Sequence, residues 1–179
     1  MLKIYIPASE WYDDAHGFIN VKATMLSLEH SLVSISKWES KYKKPFLPNG
    51  PAEGQEFTDY LQCMTLTQNV DPNVYLVINP AMRKQVRMYM NDPMTATTIK
   101  NKKSRGGRGE NVTAEIIYYW MTINNIPFEC QKWHLNRLLT LINVCVVKGG
   151  TPEKMSRNEI YAQNKALNAA RRAKYHSKG

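Results

Sequence analysis

Cys130 and His134 lie four residues apart, a spacing that on a helix would turn a thiol and an imidazole toward one metal ion. A structural zinc needs two more ligands, and Cys63, Cys145, His16 and His30 offer no second close pair. The pair therefore reads as a buried thiol beside a hydrogen-bonded imidazole. Nucleophilic catalysis by Cys130 with His134 as base lacks an orienting third group and an oxyanion donor set. The segment SRGGRG, Ser104 to Gly109, has glycines that would let backbone amides approach a phosphate. It lacks the glycine-lysine-hydroxyl ending of a phosphate loop, and no helix follows at once. A basic loop of the kind Arg-Gly segments use on RNA or DNA is the better reading. Carboxylates such as Asp13, Asp14 and Glu39 stand among polar neighbours, with nothing to pair two of them as acid and base. No cofactor, metal or catalytic set is expected, and the chain reads as non-enzymatic.

Charge is more informative than any of these motifs. The net +9 over 179 residues is unevenly placed. Lys100 to Arg108 holds five basic residues and no acid, and Lys148 to Gly179 holds eight basic residues against two acids. The remainder has eleven basic and thirteen acidic residues, close to neutral. Basicity confined to one loop and one tail predicts flexible appendages that meet something acidic, because net charge acts on association and solubility more than on fold. Lys102, Lys103, Arg105 and Arg108 in the loop, and Arg171, Arg172 and Lys174 in the tail, are the candidate partner-binding residues. Three cysteines without a framework spacing fit a reducing cytosol, no signal peptide is visible, and no apolar run approaches the roughly 20 residues of a membrane span.

The elements that would carry these residues follow from spacing. Leu135, Leu138, Leu139, Ile142 and Val146 recur at threes and fours and predict an amphipathic helix from about Phe128, with Gln131, Lys132, Asn136, Thr140 and Asn143 on its other side. Upstream, Thr113 would cap a short helix in which Ile116, Ile117, Tyr119, Trp120 and Ile123 are apolar on nearly every side, a pattern expected to be buried. Pro127 places a sharp corner between the two segments. At the start, residues 2–6 and 18–22 are extended and predict a small hairpin with a long loop. A helix is expected from about Met25, capped by Ser27 and over by Pro45, and another from Gln55 to about Leu66. Asp71-Pro72 and Asn79-Pro80 each place a capping residue before a proline, predicting short helices to about Ile78 and Met90. The run Met94 to Ile99 could be extended. Ser156 with Glu159 has capping-box spacing and opens an alanine-rich last helix, whose thin apolar stripe suits an arm better than a core element. Trp38, Trp120 and Trp133 fit core roles, and Trp11 is expected to be exposed. The predicted fold is mainly α (α+β): a single helical domain over residues 1–150 with an N-terminal β-hairpin, then a basic helical arm over 151–179.

Several stretches together are distinctive: SLEHSLVSISKWESKYKKPFL at Ser27 to Leu47, CMTLTQNVDPNVY at Cys63 to Tyr75, PMTATT from Pro93, EIIYYWM with NIPFECQKWHLNRLLTLINVC, and the ending KMSRNEIYAQNKALNAARRAKYHSKG. With these blocks, which span most of its length, the chain resembles a group of small proteins of tailed bacteriophages and prophages, associated with the tail-assembly-chaperone position of long-tailed phages. The resemblance implies a non-enzymatic factor of the host cytoplasm that binds the helical tape-measure protein, keeps it soluble, helps recruit tail-tube subunits and does not stay in the finished tail. The sharply basic ending departs from what that role demands. It would equally suit a nucleic-acid-binding packaging protein whose phosphate contacts weaken with salt. A structural connector or tail-completion subunit, assembling as a homo-oligomeric ring, is the third reading.

Overall fold

The computed structural model describes residues 1–13, 17–98, 111–149 and 157–175. It is mainly helical, with a small antiparallel N-terminal β-structure. Contacts divide the chain into two units, Met1–Val146 and Val147–Gly179.

The first unit opens with strands β1 (Leu2–Ile6), β2 (Ser9–Asp13), β3 (Gly17–Val21) and β4 (Thr24–Leu28). β1 pairs with β4, Leu2 opposite Leu28, and β2 pairs with β3, Ser9 opposite Val21. Both ladders keep one register, so the four strands form a single long hairpin interrupted where Pro7, which has no N–H to donate, stands. The interruption exchanges the buried face. Ile4, Ile6, Leu26 and Leu28 are buried before it, and Val21 is buried after it at the opposite parity. The expected pairing of residues 2–6 with 18–22 is therefore corrected: each run pairs with a different partner. The helix expected from Met25 is also corrected, since Thr24–Leu28 is strand β4. Its outer edge is held by Glu29 N–H to the Met64 carbonyl at 2.9 Å and Leu66 N–H to the Ser27 carbonyl at 2.8 Å. Those partners lie some forty residues on, beyond the reach of local spacing.

Helix α1 (Leu32–Tyr42) starts instead at Ser31, whose hydroxyl accepts from Ser34 N–H while Ser34 Oγ accepts from Ser31 N–H. Lys43, at φ 55°, ends it. Helix α2 (Gln55–Met64), a 3₁₀ turn (Pro72–Tyr75) and α3 (Pro80–Asn91) follow where the sequence puts them, with Asp71 and Asn79 capping through their side chains. No strand forms over Met94 to Thr98, and Met94 has φ 50°. Helix α4 (Ala114–Ile123) ends in a corner at Asn125, φ 52°, and Pro127. The helix expected from Phe128 is two pieces: a 3₁₀ turn (Phe128–Lys132) and α5 (Leu135–Gly149). Trp133 is extended between them, and Leu135 N–H reaches the His30 carbonyl at 2.7 Å. That bond ties the joint to the start of α1 and breaks the run. Gln131 and Lys132 thus lie on the turn rather than on the polar side of α5.

The core of this unit joins the hairpin to α1, α2, α3, α4 and α5 through Leu26, Leu28, Trp38, Phe57, Tyr60, Val86, Ile117, Met121 and Leu138, all fully buried. In the second unit α6 (Arg157–Tyr175) is a helix whose described side chains are all exposed.

Candidate partner-binding surfaces

Among the described residues, His30, His134, Cys63, Cys130 and Cys145 all lie in the first unit. His30 and His134 are both buried, their ring centroids 5.2 Å apart. His134 Nε2 donates to the Tyr89 carbonyl at 2.9 Å, and its Nδ1 accepts from Asn136 N–H at 3.3 Å, which fixes its tautomer. His30 Nδ1 lies 2.5 Å from the Tyr60 hydroxyl. Burial first, and His134 second, push the His30 imidazole down to about 3, so it is uncharged at neutral pH. His30 floors a cavity of about 230 Å³ between the Phe46–Pro51 loop, Arg87 and Asn91 of α3, and Leu135 and Asn136 of α5. Cys130, on the Phe128–Lys132 turn, and His134, beyond it, occupy different elements rather than one helix face. Burial raises the Cys63 thiol, the opposite of activation. Among the described residues no cluster of three or more His, Cys, Asp or Glu could hold a metal ion.

Glu39 has the other buried role. Its Oε1 accepts from Phe46 N–H at 2.7 Å and its Oε2 from Ala114 N–H at 2.7 Å. One carboxylate of α1 thereby closes the loop after α1 and caps α4 from 75 residues away. Thr113 occupies the capping position but makes no capping bond through its side chain.

With Glu39 fixing its first turn, α4 packs Ala114, Ile117 and Met121 into the core. Its other side is apolar as well. Ile116, Tyr119, Trp120 and Ile123 follow the three-four spacing of a second stripe, with Tyr119 62% and Ile123 55% exposed. The expected burial all round is corrected: one arc of α4 is core, while on the other Tyr119 and Ile123 are exposed and Ile116 and Trp120 are half-buried, Trp120 against the core cluster. Phe128, 56% exposed, adds to the apolar surface after the corner. Trp38 is fully buried as expected, whereas Trp120 and Trp133 are only partly so, Trp133 lying under the Arg137 guanidinium at 4.3 Å. The Trp11 side chain lies outside the described residues.

Of the candidate charges, Lys102, Lys103, Arg105 and Arg108 lie outside the described residues, as does Ser156. Arg171, Arg172 and Lys174 are exposed on α6. They do not share one arc. Arg171 shares an arc with Tyr161, Asn164, Asn168 and Tyr175 and Arg172 borders it, while Lys174 departs from that arc by about a quarter turn, its Nζ 5.6 Å from the Tyr175 ring. Alanines 162, 166, 169 and 173 take the opposite face. Sequence reasoning found the cations but neither the face nor the α4 stripe. The arc of α6 was readable from spacing, whereas nothing in the α4 pattern separates a core helix from an interface helix.

Comparison with family models, with curated proteins and with solved structures finds no match for this chain. No helix among the described residues is long and apolar enough to cross a membrane.

Proposed function

We propose that this protein is a non-enzymatic assembly factor that holds an amphipathic helix of a partner, as a tail assembly chaperone of a long-tailed phage would hold the tape-measure protein in the host cytoplasm. The observation that carries the reading is the outward stripe of α4. Four apolar residues at helical spacing on an ordered element, two of them more than half exposed, suit helix-on-helix docking. An amphipathic helix is the matching occupant, because its own stripe repeats at threes and fours along the same length. The resemblance to the phage group supplies the identity of the partner, and the basic loop and arm supply attraction to an acidic one.

The test is a pull-down with tagged full-length protein from infected or co-expressing cells, treated with nuclease and eluted across a salt series. The reading expects one large helical tail protein to remain bound after nuclease, and Tyr119→Asp with Ile123→Asp to release it. Recovery of nucleic acid alone, stripped by salt, would replace it with a packaging role.

A further inference from the structure

We infer that α6 is a docking helix for an acidic α-helix, engaged through the arc that carries Tyr161, Asn164, Asn168, Arg171 and Tyr175. The inference rests on the reading of the protein as a factor for a helical partner, and it adds the partner's charge and the residues that meet it. These five residues are spaced three, four, three and four, the repeat that keeps a seam facing a second helix along its whole length. Lys165 and Arg172 flank the seam, seven residues apart, which is about 10.5 Å along a helix and one heptad of a facing chain. That interval matches carboxylates recurring once per heptad on a partner helix.

The composition of the seam agrees with its geometry. Tyr161 and Tyr175 are 77% and 70% exposed and offer large, stiff contact area with a polar tip. Asn164 and Asn168 form hydrogen bonds of either sense and would fix register, as polar seam residues do in paired helices. No acid lies within Tyr161 to Tyr175, so nothing on this stretch neutralises its cations internally. The opposite arc is alanine, which sustains the helix intrinsically and offers little surface to compete for the partner.

The experiment uses the full-length protein and a fluorescent synthetic helix of about four heptads, with Leu and Gln in its seam and Glu at the flanking positions. A Lys-flanked version and a DNA duplex are the comparison probes. Two variants carry the same charge change: Asn168→Glu on the seam and Ala166→Glu on the alanine face. Both residues introduced are good helix formers, so α6 persists in either. The expected result is binding of the Glu-flanked helix, weakened about tenfold by N168E and about twofold or less by A166E, with the Lys-flanked helix unbound. Equal losses in the two variants would reduce the arm to undirected charge and overturn the seam. Tighter binding of the duplex, lost in N168E, would overturn the acidic helix in favour of nucleic acid. The synthetic probe reads α6 independently of any tail protein, so failure here is distinct from failure of the pull-down that tests α4.

Discussion

Glu39 shows how much one side chain can decide. At 8% exposure its two carboxylate oxygens are the acceptors for Phe46 N–H and Ala114 N–H, so removing them strands two backbone donors. Glu39→Ala is expected to lower the unfolding free energy by about 3 kcal/mol in urea titration, and Glu39→Gln, which keeps one acceptor oxygen, by about half as much. His30 gives a second prediction, in pH. Its native imidazole takes a proton only near 3, whereas the unfolded one does so at 6.5. Between those values the unfolded state binds more protons, so stability falls as pH falls below 6.5. From pH 6 to 5, above the carboxylate range, the slope from His30 approaches about 1.4 kcal/mol per unit. Urea titrations across that interval should show His30→Asn losing this slope and keeping the smaller one from His134, whose burial also lowers it. Neither residue announced itself in the sequence. Glu39 read as a carboxylate among polar neighbours with nothing to pair it, because its partners lie seven and 75 positions away.

At the scale of elements, what local chemistry dictates was legible and what distant chain dictates was not. Asn79 and Asp71 accept from the N–H groups of Met82 and Asn73, as their position before proline required. Asn79→Ala should cost about 1 kcal/mol, read as a lowered urea midpoint at unchanged slope. The start of α1 was misplaced because Leu28 continues the spacing of Leu32 and Ile35 backward into a segment that β1 claims as a strand. The start of α5 was misplaced because the bond from Leu135 to His30 breaks a run that propensity alone would continue. α4 shows the limit of an apolar pattern. An apolar pattern on all sides states only that both faces avoid water, and the fold covers one of them. Tyr119→Asp with Ile123→Asp should therefore cost no more than about 2 kcal/mol, from helix propensity and the helix C-terminus, while abolishing partner capture, whereas two core positions would cost well above that.

For the whole molecule, the separation of charge from core was visible in composition; the basic loop lies outside the described residues, and on α6 Lys165, Arg171, Arg172 and Lys174 are exposed. The first unit buries its apolar residues in one cluster, and the helix of the second displays its cations and tyrosines outward. Under the proposed reading, the exposed apolar residues of α4 and the cations of α6 are the surfaces that would meet a partner helix. A chain truncated after Val146 should retain the urea transition of the first unit, because the buried cluster lies wholly within Met1–Val146. The most direct measurement of the account places a photo-crosslinking residue at position 119 of the full-length protein, in cells producing the tail proteins, and identifies what it captures after nuclease treatment. The account predicts crosslinks to one helical tail protein, at sites spaced by three and four along it, and none from a control position such as Lys3 on the hairpin. Crosslinks only to nucleic acid, or equal yields from both positions, would contradict it.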